Sequence, residues 1–135
     1  FGKLETLSFQ RASHYPPDAL EEGWHSCGPH TDGSFLPLLA TTDVPSLEIC
    51  GTDGQWIKAP LWRGSFLVNS GDMLTRWSNG RFLSTPHRVI NDSGADRYAI
   101  PFFMQPNEMQ SSSVSRLAVA RKIRRAKRQS RVQII

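Results

Sequence analysis

Apolar residues along the first hundred positions fall in short runs cut by Gly, Pro and Asp, which is the pattern of a β-rich chain. Thr6 to Ser13 reads as a strand leading into Tyr15-Pro16-Pro17, since two prolines cannot continue a ladder. Asp18 to Gly28 reads as a loop or short helical turn. Phe35 to Thr41 and Leu47-Glu48-Ile49-Cys50 are strand-like, and Asp53-Gly54 ahead of Trp56-Ile57 marks a hairpin, because Gly takes positive φ without strain. Ser65 to Asn69 is a further strand, ended by Ser70-Gly71-Asp72, with one helical turn expected over Met73 to Ser78. His87 to Asn91 and Arg97 to Gln105 are strands separated by the turn cluster Asn91-Asp92-Ser93-Gly94. The expected architecture is an all-β sandwich or barrel, without internal repeat.

Charge divides the chain in two. Residues 1–115 carry 8 Lys/Arg and all 12 Asp/Glu, whereas residues 116–135 carry 8 basic residues and no acid. The net charge of +4 therefore hides an acidic body and a basic tail, and does not argue for nucleic acid as the partner of the whole. Ser111-Ser112-Ser113 could cap a helix over Arg116 to Arg128, but Leu117, Val119, Ile123 and Ala126 form no narrow stripe. The expected organisation is one domain over residues 1–110 and a helical or disordered basic tail over 111–135. No apolar stretch approaches a membrane span, so no membrane partner is expected. Two cysteines, Cys27 and Cys50, are too few for a disulfide framework, which favours a reducing, cytoplasmic compartment.

The candidate chemistry centres on His30-Thr31-Asp32 and the distant His87, with Arg97 beyond it. Residues His30 and Asp32 alternate, so in an extended stretch their side chains share one side. Two imidazoles and a carboxylate on one face of iron(II) make a facial triad that leaves three positions open. Arg97 adds a permanently ionised fork for a carboxylate. Each residue has a plainer reading: a surface histidine beside a turn aspartate, an ordinary half-buried His87, a salt bridge from Arg97 to Asp96 or Asp92. A zinc site from His25, Cys27 and His30 lacks a fourth ligand other than Cys50. Gly51 to Gly54 lacks the length and the following helix of a phosphate loop. Inward positions on neighbouring strands make Asn69, Phe103 and Gln105 candidates for a pocket.

Several motifs stand in one order: His30-Thr31-Asp32-Gly33 before Phe35-Leu36-Pro37-Leu38-Leu39, Asn69-Ser70-Gly71-Asp72 before Trp77-Ser78-Asn79-Gly80-Arg81, then Ser84-Thr85-Pro86-His87-Arg88-Val89 and Arg97-Tyr98-Ala99-Ile100-Pro101-Phe102-Phe103. From about His14 to Asn107 the chain resembles the iron(II)- and 2-oxoglutarate-dependent oxygenases, in the branch that includes isopenicillin N synthase. The resemblance implies a double-stranded β-helix, or jelly roll, with the ligands at its mouth on strands from opposing sheets. It implies Fe(II) held by His30, Asp32 and His87, and the far carboxylate of 2-oxoglutarate held by Arg97 and Tyr15; Asn69, expected inside the mouth of the barrel, is the further cofactor-binding candidate. Members of this family are about twice as long, so the chain reads as their C-terminal catalytic portion or a fragment.

The implied activity is a dioxygenase (an oxidoreductase) that consumes O2, oxidises and by default hydroxylates a small organic substrate, and releases succinate and CO2. Two departures bear on the cosubstrate. Ala99 stands where the family commonly has a serine donor, and Ser13 where many members have asparagine, so 2-oxoglutarate binds less tightly unless another donor substitutes. Two other readings remain beside this one: an iron oxygenase that does not use 2-oxoglutarate, and an inactive fragment acting as a binding module through its tail. Such a tail would touch phosphates only non-specifically, since it has no aromatic residues for base stacking.

Overall fold

The computed structural model describes residues 6–17, 23–40 and 42–106. The expected basic tail over 111–135 lies outside them, as does the region of Asp18 to Glu22. Among the described residues, the strands are β1 (Phe9–Gln10), β2 (Ser13–Tyr15), β3 (Cys27–His30), β4 (Leu36–Ala40), β5 (Leu47–Cys50), β6 (Trp56–Lys58) and β7 (Phe66–Val68). One short helix, α1 (Asp72–Trp77), precedes β8 (His87–Val89), β9 (Arg97–Ala99) and β10 (Pro101–Met104). They form two four-stranded antiparallel sheets, ordered β1-β10-β4-β7 and β3-β8-β5-β6, and the pair β2-β9. The fold is the expected all-β jelly roll.

Two expected strands are each cut in two, at one level of the structure. Register is unbroken across the cut: Gln10 lies opposite Phe102 and Ser13 opposite Ala99, so Arg11 and Ala12 fall opposite Pro101 and Ile100. Pro101 has no N–H to give the ladder, although its carbonyl still accepts from the Arg11 amide at 3.1 Å. The ladder therefore continues in space while one rung is missing. It also runs on through Tyr15, where the sequence suggested a turn.

The hairpin at Asp53-Gly54 forms as expected, with Gly54 at φ +81° and the Gly51 amide bonded to the Gln55 carbonyl at 2.7 Å. Leu47, Ala59 and Val89 make a small core, backed by Tyr15, Cys27, Leu39, Ile49 and Leu67. Beside it, the two sheets enclose a cavity of about 830 Å³ lined from both sides. Alternation explains the lining: Pro37, Leu39, Leu67, Pro101 and Phe103 face inward, on the opposite side from Leu38, Val68 and Phe102. No helix among the described residues is long and apolar enough to cross a membrane.

Asn91 holds the β8–β9 connection against the end of β2. Only 1 % exposed, its side-chain amide lies 2.9–3.1 Å from the carbonyls of Tyr15, Pro16 and Ala95, and its oxygen accepts from the Ser93 hydroxyl at 2.7 Å. Asn91→Ala strands buried carbonyls at about 1–3 kcal/mol each. Urea denaturation is expected to show a loss of about 3 kcal/mol, against an almost unchanged midpoint for Asp92→Asn, an exposed residue of the same connection whose one ion pair, to Lys58, is itself exposed.

Candidate metal centre

β3 and β8 are hydrogen-bonded neighbours, and their register sets His30 directly opposite His87. The two histidines thus meet by lateral pairing within one sheet, which corrects the expectation of strands from opposing sheets. Their rings stand 4.3 Å apart, centre to centre, tilted by 54°. Asp32 lies two residues past the end of β3. Its carboxylate oxygens are 3.9 Å from His30 Nε2 and 3.6 Å from His87 Nε2. One ligand atom from each of the three residues falls within 4.8 Å of the others, the one such cluster among the described residues.

Backbone carbonyls orient both rings. His30 Nδ1 lies 2.8 Å from the Gly28 carbonyl and His87 Nδ1 3.1 Å from that of Thr85. A carbonyl only accepts, so each Nδ1 carries the proton and each Nε2 turns a bare lone pair towards Asp32. Asn69 Nδ2 is also near His87 Nδ1, at 3.4 Å, but the shorter Thr85 contact fixes the tautomer. Two lone pairs and a carboxylate converge at separations longer than a hydrogen bond. A cation between them would turn mutual repulsion into attraction, and the set suits a divalent ion that takes imidazole and carboxylate.

The segment carrying Asp32 is clamped from behind by the turn leading into α1. The Asp72 amide donates to the Asp32 carbonyl at 2.7 Å, the Gly71 amide to that of Phe35 at 3.1 Å, and the Thr31 hydroxyl to Asp72 at 3.3 Å. Asp72, read from the sequence as a turn residue, is the first residue of α1. Gly71 is extended (φ −93°), so space rather than conformation demands glycine: an added Cβ would lie 2.6 Å from the Ser34 carbonyl carbon and 2.9 Å from the Asp32 carbonyl oxygen.

Tyr15 lies directly opposite Arg97 across β2 and β9. Arg97 is 3 % exposed, its guanidinium stacks 4.8 Å over the Tyr15 ring, and its Nε and one terminal nitrogen have no hydrogen-bond partner among the described residues. Burial pushes the guanidinium below its ordinary pKa, an effect opposed first by Tyr15 and then by Cys27. The suggested salt bridge is absent: Asp96 holds His14 at 2.6 Å, and Asp92 faces Lys58 at 3.7 Å. A buried cation with unused donors is costly to leave alone, and this one lines the same cavity as the His-Asp-His cluster. A bound carboxylate fits it. Ala99, also buried, faces Ser13 across the strands, so a hydroxyl stands on that wall although Ala99 has none.

The other sequence candidates divide. Phe103 lines the cavity, as does Asn69, whose Oδ1 accepts from the Ser70 amide at 2.8 Å. Gln105 does not line it; its backbone bonds to Thr6 and Ser8. His25 turns to Arg88 at 3.2 Å, so the zinc set does not assemble. Sequence reasoning missed Gly71 and Arg11, which also lines the cavity.

Residues 6–106 match the family model described as the 2OG-Fe(II) oxygenase superfamily. The chain belongs to this superfamily. It is 38% identical over 100 residues to a gibberellin 2-beta-dioxygenase of Phaseolus coccineus, covering 71% of this chain and 30% of that one. A homoarginine-6-hydroxylase of Glycine max is 44% identical over 82 residues, 60% of this chain and 25% of that protein. Among solved structures, the dioxygenase for auxin oxidation 1 of Arabidopsis thaliana, in binary complex with 2-oxoglutarate, superposes with a TM-score of 0.70 at 29% identity, over 77% of this chain and 40% of that one. The chain thus spans about a third or less of the length of these curated oxygenase relatives. Among the superfamily's two named reactants, Fe(II) suits the His-Asp-His donors, and 2-oxoglutarate offers the carboxylate that Arg97 lacks.

Proposed function

We propose that this chain carries the catalytic centre of a 2-oxoglutarate-dependent oxygenase that oxidises, by default hydroxylates, a small organic molecule. The observation that supports this best is one cavity containing both a three-ligand cluster and a buried arginine with free donors. In this reading His30, Asp32 and His87 hold Fe(II) through both Nε2 atoms and the Asp32 carboxylate. Iron(II) and 2-oxoglutarate together supply the oxidation chemistry, with dioxygen consumed and succinate and carbon dioxide released. Arg97 forks the far carboxylate, Tyr15 packs along the guanidinium and offers its hydroxyl, and Ser13 supplies the donor that Ala99 does not. The Gly28 and Thr85 carbonyls keep both imidazoles in the metal-binding tautomer. Asn69 lines the cavity beside His87, 3.4 Å from its Nδ1, and shapes the pocket around that ring and the cosubstrate. Cys27 and Cys50 are both free thiols, in keeping with a reducing compartment such as the cytoplasm.

Anaerobic addition of Fe(II) and then 2-oxoglutarate tests the reading, since a chelated keto acid gives a weak visible charge-transfer band. A band is expected. Arg97→Gln is expected to raise the 2-oxoglutarate concentration for half-saturation about tenfold or more, because hydrogen bonds to a charged group are worth about 1.5–3 kcal/mol. Tight Fe(II) binding with no band would contradict the use of 2-oxoglutarate.

A further inference from the structure

The cavity holds more positive charge than the cosubstrate uses. Arg11, Arg81 and Arg97 line it, against Asp32 and Asp53 as its acids. Lys58, Arg63 and Arg88 lie outside it, and each faces a carboxylate within 4.0 Å, at 3.7, 3.0 and 2.7 Å, whereas Arg76 on α1, also outside, is exposed to solvent without one among the described residues. The three lining arginines have no such partner among the described residues. Asp53 already accepts from the Gln55 amide at 3.0 Å in its own turn. With iron and Asp32 set against 2-oxoglutarate and Arg97, the charge left over on the walls is positive.

Strand geometry separates the two roles. Arg11, Ser13 and Tyr15 alternate along one edge and all line the cavity. Tyr15 faces Arg97, and four residues back Arg11 falls at the level of Pro101. At ~3.3 Å per residue this is about 13 Å along the strand, so Arg11 starts well away from the pair made by Tyr15 and Arg97. Arg97 is buried and Arg11 exposed, so one cation sits deep and the other at the rim. Arg81 reaches the cavity from a pinned loop: the Phe82 amide donates to the Ser78 hydroxyl at 3.0 Å, and the Ser70 hydroxyl to the Leu83 carbonyl at 2.5 Å. Between these groups the walls are apolar, formed by Leu39, Ile49, Leu67, Phe82 and Phe103.

We infer that the oxidised substrate is a small amphipathic anion, with an apolar body against these walls and a carboxylate held at the rim by Arg11, while Arg81, beyond the opposite edge of the sheet, adds to the positive field there. This rests on the function proposed above, in which Arg97 belongs to the cosubstrate. Arg11 is then a specificity residue and takes no part in the oxidation itself. Because it is exposed, its pull should be moderate and screened by salt.

The test uses the chain loaded anaerobically with Fe(II) and saturating 2-oxoglutarate, titrated with benzoate, phenylacetate and octanoate, each against its neutral amide. Binding is read from the change in the charge-transfer band. At least one acid should bind about tenfold tighter than its amide at low salt. That ratio should fall towards unity in Arg11→Gln, fall again with Arg81→Gln added, and shrink at high salt, while Lys58→Gln leaves it in place. If the band forms but no acid outdoes its amide, or the preference survives the double substitution, this inference fails and the proposed function stands. Bleaching of the band by the acids would place them at Arg97 and also overturn it. If no band forms, the proposed function and this inference fail together.

Discussion

Replacing His87 by alanine is expected to abolish tight iron binding while leaving the chain folded. The imidazole is half-buried and bonded only through Nδ1, so its loss removes one ligand and one short contact to the Thr85 carbonyl. Groups that merely orient a ligand are worth about 10–100-fold in metal affinity. Losing the ligand itself should therefore exceed about 100-fold, read as Fe(II) affinity by anaerobic competition with a coloured chelator. His14→Ala is the control. That ring stacks on Tyr98 at 4.6 Å and pairs with Asp96, away from the cavity. Equal losses in the two variants would mean that iron binding reflects general histidine chemistry rather than this cluster.

The second large effect is expected at a residue without any side chain. In Gly71→Ala, the new methyl collides with backbone atoms of Ser34 and Asp32, which cannot swing away as a side-chain tip would. Overpacking ordinarily costs about 1–3 kcal/mol, and a clash between two backbones belongs at the upper end or above it. The strain falls on the segment that carries Asp32, because the same turn bonds the Asp32 and Phe35 carbonyls. Both the urea midpoint and Fe(II) affinity should fall together. Gly33→Ala, inside the clamped segment itself but with open space around its Cβ, should leave the midpoint almost unchanged. A stable Gly71→Ala chain with full iron affinity would show that the turn does not position Asp32.

The ligand residues were legible because the chemistry is local: His30 and Asp32 are two residues apart, and few structural tasks need His87 and Arg97 as well. Strand positions were legible for the same reason, with Leu47–Cys50 and the Asp53-Gly54 hairpin set by short-range pattern. Register was not. That His30 faces His87, and Tyr15 faces Arg97, depends on pairing between distant segments, which no local pattern encodes. The supposed opposition of sheets failed on that point. Asn91 read as one more turn residue, since only the packed structure brings three carbonyls to its amide. Gly71 read as a strand stop, although its role is to let two backbones touch. Arg11 drew no reading of its own, because an exposed position and a cavity rim have the same sequence signature.

Two imidazoles meeting at one Fe(II) define the proposed centre, and iron-edge X-ray absorption of the Fe(II)-loaded chain tests that most directly. Outer-shell scattering from two imidazoles per iron is expected in the unaltered chain, falling to one for whatever iron His87→Ala can be made to take up. Iron with no imidazole scattering, or a signal that His87→Ala leaves unchanged, would contradict it.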